Sequence, residues 1–508
     1  MILTLSSVNF IIFFVIVLIV YYLFPKGYQN PLLVVASFVF YLFGTPGYAL
    51  LLILSIFINY YAGKAVDSCK QPKRKKALLT FFIALNVVSL LGFKYYNFIG
   101  ETISPVLELL GVKFELASWI APLGISYYTL MTIDYLVGIY KGTLCWDRDF
   151  DGFCDYALYI GFFPQIIAGP INRAKDMLPQ FKKQRSFNYG SFVAGMQRFL
   201  IGSLKKIVIA DGVAIITDGI FGNMSQVKEG YTGVILILGQ LLYVIRMFGD
   251  FSGYSDMAVG VAGMLGIEIM ENFNAPYSAV SVNEFWRRWH ISLSSWLRDY
   301  IYIPLGGNRK GRIRKYFNSM MVYFVCGLWH EPSWNFAVWG ICQSIMVIIE
   351  DILVPKKARE DTRQPGGFRR IISFFKWLYT MTFFYITLLF VSTNDIRDVG
   401  YFFRNIFKPV PVPILINNII HLSDNQISND LPYLLLYWGG MFLALIIVFV
   451  LDRKTFRSGL NGGIVDYNPL SKLSKRKRWL IYFTAGFLIL FFFMIEGTTP
   501  APPIYINM

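Results

Sequence analysis

Apolar residues along this chain come in runs, each about as long as a bilayer is thick, separated by short polar connections. The first run, Val8 to Phe24, precedes the first lysine, Lys26. Further runs cover about 31–62, where Gly44 and Pro46 split two segments, then 78–98, 119–140, 153–169, 190–222 and 231–268. The series continues through about 316–354 (two segments), 371–392, 432–451 and 479–496. A spanning helix needs about 20 apolar residues, so these runs predict roughly eleven to thirteen spans. No strand-like alternation recurs at barrel spacing, and the fold class predicted is an all-α polytopic membrane protein. Residues 120–345 carry the polar interruptions, there is no internal repeat or low-complexity domain, and the longest polar insert is about forty residues, so 1–508 reads as a single membrane-embedded domain.

Composition agrees: 55% of the 508 residues are hydrophobic and 15% charged, against about 25% charged in an ordinary soluble domain. Residues 1–25 hold no charged side chain. A cleavable signal peptide carries positive charge before its apolar run, so the first run reads as a retained span. The net charge of +16 is concentrated in Lys70–Lys76, Arg309–Lys315, Lys356–Arg370 and Lys472–Arg478. Such loops at span ends orient the protein with these segments in the cytoplasm and meet anionic lipid. They lack the aromatic interleaving of a nucleic-acid groove, so nucleic acid is not an expected partner. Span parity then places both termini outside. Loops 141–152 and 173–185 both look cytoplasmic although one apolar run lies between them, which predicts a re-entrant segment or buried half-helix there.

Candidate chemistry sits where the apolar pattern fails. Only three histidines occur, and His290 and His330 both lie in Trp-rich segments beside apolar runs. An imidazole moves protons near neutral pH, and an ionisable group at membrane depth is a functional candidate by default. The stretch Glu284–Gly307 also holds Arg287, Arg288, Arg298 and Asp299. Read as one helix, it puts Arg287, Ile291, Ser294 and Arg298 on one face and Trp286, His290, Leu293 and Leu297 on the next. An interfacial anchor is the plainer alternative for its arginines. His330 stands just before Glu331 and Pro332, where a proline marks a helix break. Asp134, Gln165 and the group Asp250, Ser252, Ser255 and Asp256 interrupt other runs. Such interruptions suit a chamber through the bilayer, in an enzyme or a transporter.

No metal site is expected. His330 and Glu331 begin an HExxH pattern, but Trp334 holds the position of the second ligand. The five cysteines are odd in number and scattered without a CxxC, so they encode neither a disulfide framework nor a zinc ribbon.

The segments PLGISYYT (122–129), FFPQIIAGPI (162–171), DFSGYSDMAVG (250–260), NFNAPY (272–277), FWRRWHISLSSWLRDYIYIPLGGNRKG (285–311) and GLWHEPSWNFAVWG (327–340) occur in that order. Together they resemble the membrane-bound O-acyltransferase superfamily, most closely its bacterial branch typified by the alginate O-acetyltransferase membrane subunit. The resemblance implies a ring of tilted helices, with re-entrant or interfacial ones, around a central funnel. Across it an acyl group passes from a cytoplasmic thioester donor, acetyl-coenzyme A or an acyl carrier protein, to an extracytoplasmic acceptor; no permanently bound cofactor is implied.

His330 matches the essential histidine of the family and His290 the second one, with His330 as general base or transient acyl acceptor and His290 as an orienting or second proton-handling group. Arg287, Arg288, Arg298 and Lys310 are candidates to steer the donor's phosphates. The implied place is the bacterial cytoplasmic membrane, and the implied partners are membrane lipid, an exported acetyltransferase and a polysaccharide acceptor reached directly or through that partner. D-alanyl transfer to teichoic acid and peptidoglycan O-acetylation are alternatives within the family. A transporter or flippase, from another class, predicts internal repeats, and the sequence has none. Two departures from the family pattern stand out: Glu331 replaces a frequent Gly, and the tail APPIYINM follows the aromatic tail pattern only loosely.

Overall fold

The computed structural model describes residues 3–119, 121–222, 232–354, 367–410, 431–460, 470 and 473–496. The basic stretch 356–366, the loop 411–430 and the APPIYINM tail lie outside the described residues. Among those described, the elements are helical, and seven helices are long and apolar enough to cross a membrane, with Val8–Leu23 a shorter apolar one. The chain is a multi-pass membrane protein, and its contacts divide into two compact units: residues 1–199 with 257–270, and residues 200–256 with 271–506.

In the first unit the run 153–169 does not continue as a helix. The helix Phe150–Gly161, N-capped by the Asp149 side chain on Gly152 N–H, ends at Gly161, and the buried segment 162–173 follows in turns and extended backbone. Its polar groups are held internally, as a buried non-helical stretch requires. Asn172 Nδ2 donates to Gln165 Oε1 (2.7 Å), and Gln165 Nε2 to the Tyr159 carbonyl (2.7 Å). Asp134 accepts from Arg173 Nη1 (3.2 Å), the Ala174 N–H (2.7 Å) and the Tyr159 hydroxyl (3.2 Å). Gly124, at φ +74°, lies so close to the Ile166 carbonyl that a Cβ there would collide with it. The polar interruptions Asp134 and Gln165 therefore brace this unit from within.

In the second unit, Lys205 and Lys206 lie on a π-helical segment, Leu204–Asp211. Lys206 is fully buried, its Nζ 2.7 Å from Asp211 Oδ1 and 2.6 Å from Asp250 Oδ1. Lys205 reaches Asp256 (2.9 Å) and Asp452 (3.3 Å). The polar group 250–256 is thus the counter-charge for two lysines inside what reads as an apolar run, each buried charge answered by its opposite. Around this cluster Leu204, Ile207 and Val208 pack against Tyr437, Met441, Leu488 and Phe492 of the last two described helices.

Candidate active site

The site grows from one interrupted segment. Ser281 N-caps the helix Val282–Arg288, accepting from the Glu284 N–H (3.0 Å), and Glu284 reaches back to accept from the Val280 N–H (3.0 Å), close to a capping box. The first two helical N–H groups, on Val282 and Asn283, donate to Glu350 (2.6 and 3.0 Å). Trp286 Nε1 donates to Gln343 Oε1 (3.3 Å), and Gln343 Nε2 to Thr387 Oγ1 (2.9 Å).

The helix stops at Arg288, and this corrects the single-helix reading of 284–307. Trp289 is extended, His290 takes the left-handed conformation at φ 44° and ψ 53°, and a new helix runs Ile291–Leu297. The faces drawn across that break, including Trp286 with His290, do not exist. A left-handed non-glycine residue costs about 1–3 kcal/mol and persists where its surroundings over-determine it. Here the segment 272–274 does so. The Ile291 N–H donates to the Asn272 carbonyl (3.0 Å), the Asn274 N–H to the Arg288 carbonyl (2.9 Å), and Ser292 Oγ bonds Asn272 Oδ1 (2.6 Å).

His330 is the last residue of the helix Gly311–His330. Glu331 and Ser333 are extended, and Ser333 caps the next helix, Trp334–Leu353. The two helices pack closely because glycines face backbone where they meet. A Cβ on Gly327 would strike the Phe336 carbonyl, and one on Gly340 the Tyr323 carbonyl.

These elements bring the two histidines together. The imidazole centroids lie 5.8 Å apart at 43°. Both are buried, His290 completely. Phe251 meets His290 edge-on at 4.6 Å, Trp329 lies 5.1 Å from His330, and Trp339 lies 5.7 Å from His330 at 71°. Burial, reinforced by the neighbouring His330, holds the His290 imidazole well below its ordinary pKa, so the ring is neutral. A cavity of about 30 Å³ opens beside His330, lined by Tyr277, Trp286, Trp289, Phe336 and Trp339 among others; His290 does not line it. An imidazole at a small aromatic-walled cavity can take a proton from a hydroxyl and return it.

The four cationic candidates do not join this cavity. Arg287, Arg298 and Lys310 are exposed, Arg298 paired with Asp299 (2.9 Å). Arg288 is bonded to Glu284 (2.8 Å) and to the Asn274 carbonyl (3.1 Å). Several contributors escape a reading of the sequence. Asn272 and Asn274 look like loop residues, and Trp339 like membrane-helix bulk. Gly327 and Gly340 carried a usable signal, since small residues in membrane helices mark close approach.

The membrane-bound O-acyltransferase family model matches residues 149–393. The chain is 37% identical over 350 residues to the probable alginate O-acetylase AlgI of Azotobacter vinelandii, covering 68% of each chain. It is 33% identical over 439 residues to the protein of that name in Pseudomonas aeruginosa, covering 86% of this chain and 81% of the other. A peptidoglycan O-acetyltransferase of Helicobacter pylori is 33% identical over 477 residues, covering 86% of each chain.

Proposed function

The chain belongs to the membrane-bound O-acyltransferase family, and on that premise we propose that it takes an acetyl group from a cytoplasmic thioester and delivers it for O-acetylation of an extracytoplasmic polysaccharide, with His330 as general base. The observation that carries this reading is the pairing of two buried imidazoles, 5.8 Å apart, in an otherwise aromatic interior. A thioester is already activated, so the protein has to align a hydroxyl, remove its proton and stabilise the charge that forms on the carbonyl oxygen. His330 accepts the hydroxyl proton as the new C–O bond forms. When the C–S bond breaks, the same proton passes to the departing thiolate. His290, neutral and fixed by its turn, orients His330 or shares the proton.

The donor in this scheme is acetyl-coenzyme A or an acetylated carrier protein. Arg287, Arg298 and Lys310 are exposed where they can attract its phosphates, while Arg288 first serves Glu284 and the Asn274 carbonyl. The hydroxyl belongs to the polysaccharide or to an exported acetyltransferase that finishes the modification. The likeness to a peptidoglycan O-acetyltransferase makes peptidoglycan the second acceptor to assay.

The deciding experiment compares acetyl esters on secreted polysaccharide, and on peptidoglycan, in cells carrying wild type, His330→Ala or His290→Ala at equal protein level. Esters are expected to vanish with His330→Ala and to fall strongly with His290→Ala. Unchanged esters in the His330 variant end the proposal.

A further inference from the structure

Two tryptophans line the His330 cavity on neighbouring helices and face each other with ring centroids 5.8 Å apart, yet their indole N–H groups have different fates. That of Trp286 is committed to Gln343 Oε1. That of Trp339 is buried and meets no hydrogen-bond acceptor among the described residues. Trp339 is only 6% exposed, so solvent does not serve it either. A buried indole N–H ordinarily finds a partner, and a buried polar group left without one calls for a specific reason. The Tyr277 hydroxyl, also on the cavity wall, is spent on the Val244 carbonyl (2.9 Å).

The missing acceptor fits one moment of the reaction. An indole N–H only donates, so it cannot serve as base, nucleophile or metal ligand. It can meet an oxygen on which negative charge grows. Acyl transfer from a thioester makes such an oxygen: as the hydroxyl oxygen bonds to the carbonyl carbon and its proton goes to His330, the carbonyl π pair moves onto oxygen. Collapse then re-forms the C=O, breaks the C–S bond and sends the proton from His330 to sulfur. A fixed donor in an apolar, water-poor cavity stabilises that oxyanion far better than the same donor in water, because it needs no reorientation when the charge appears. We infer that Trp339 Nε1–H is an oxyanion-stabilising donor, a catalytic residue on the wall of the same cavity as the general base. The inference rests on the assignment of His330 as that base.

The test uses full-length protein in native membranes with labelled acetyl-coenzyme A and acetylated carrier protein as donors, following acetyl transfer. Trp339→Phe keeps an aromatic ring and removes the N–H. A benzothienyl isostere at position 339, sulfur replacing N–H, keeps the whole indole shape and decides the matter if the phenylalanine variant fails to accumulate. Loss of one oxyanion donor typically costs about 10²–10³ in kcat. We expect a fall of that order for either variant, with donor KM within about twofold and the acid limb of the pH profile unmoved, since the N–H does not titrate. A rate above one third of wild type in the isostere overturns the inference. So does a loss accompanied by a shifted acid limb, which would mean that the substitution had displaced His330. Running His330→Ala in parallel separates the two claims. Activity surviving that change refutes the histidine assignment itself, whereas activity surviving only the Trp339 changes refutes the donor.

Discussion

The imidazole of His330 and the indole of Trp339 lie 5.7 Å apart across a turn joining two helices, and Gly327 and Gly340 are what let those helices close. A methyl group on Gly327 has nowhere to go but into the Phe336 carbonyl, which is backbone and cannot swing aside. Overpacking of this kind typically costs about 1–3 kcal/mol, and a shift near 1 Å at reacting groups can cost about 10²-fold in rate. Gly327→Ala is therefore expected to leave a protein that still inserts but loses at least about tenfold of its acetyl transfer. Ester content at matched expression checks this, and wild-type content would show that the helix spacing does not matter.

Lys206 has a different task. Its ammonium is the shared counter-ion of Asp211 and Asp250, with no exposure to solvent. Removing one member of a buried ion network strands the others, a loss of about 3–5 kcal/mol. Lys206→Met is expected to destabilise the protein by that order, seen as a lower unfolding temperature in detergent. Asp250→Asn leaves one carboxylate against one ammonium and should cost less. Equal stability of Lys206→Met and wild type would mean that the network contributes nothing net.

The length of the apolar runs was enough to read a helical, multi-pass protein, because spanning a bilayer imposes length and leaves little alternative to helix. His290 and His330 stood out by rarity and setting. The break between Trp289 and His290 was not readable: 284–298 keeps helical spacing without a glycine or proline, and the left-handed turn is decided by bonds to Asn272 and Asn274, distant in sequence from any helix signal. Lys205 and Lys206 were hidden for a related reason. Averaged over a long apolar run two lysines vanish, and only their carboxylates, on other segments, explain them.

His290 also makes the stability of the protein depend on pH in a calculable direction. In the unfolded chain its imidazole takes a proton near pH 6.5, the ordinary value. In the folded protein burial, then the proximity of His330, holds it well below that. On acidification the unfolded state therefore binds the proton first, and stability falls as pH drops from about 6.5 toward the depressed folded value, by at most about 1.4 kcal/mol per pH unit for this one group. Above that range the term contributes nothing. Asn tolerates the left-handed backbone better than most residues, so His290→Asn keeps the turn while removing the titrating ring. Unfolding temperatures measured between about pH 5 and 8 should fall less steeply on the acid side for His290→Asn than for wild type, even if the variant is inactive. Parallel curves for the two proteins would mean that the His290 ring is protonated as easily inside the fold as outside it, and its assignment as a neutral partner of His330 would fail with them.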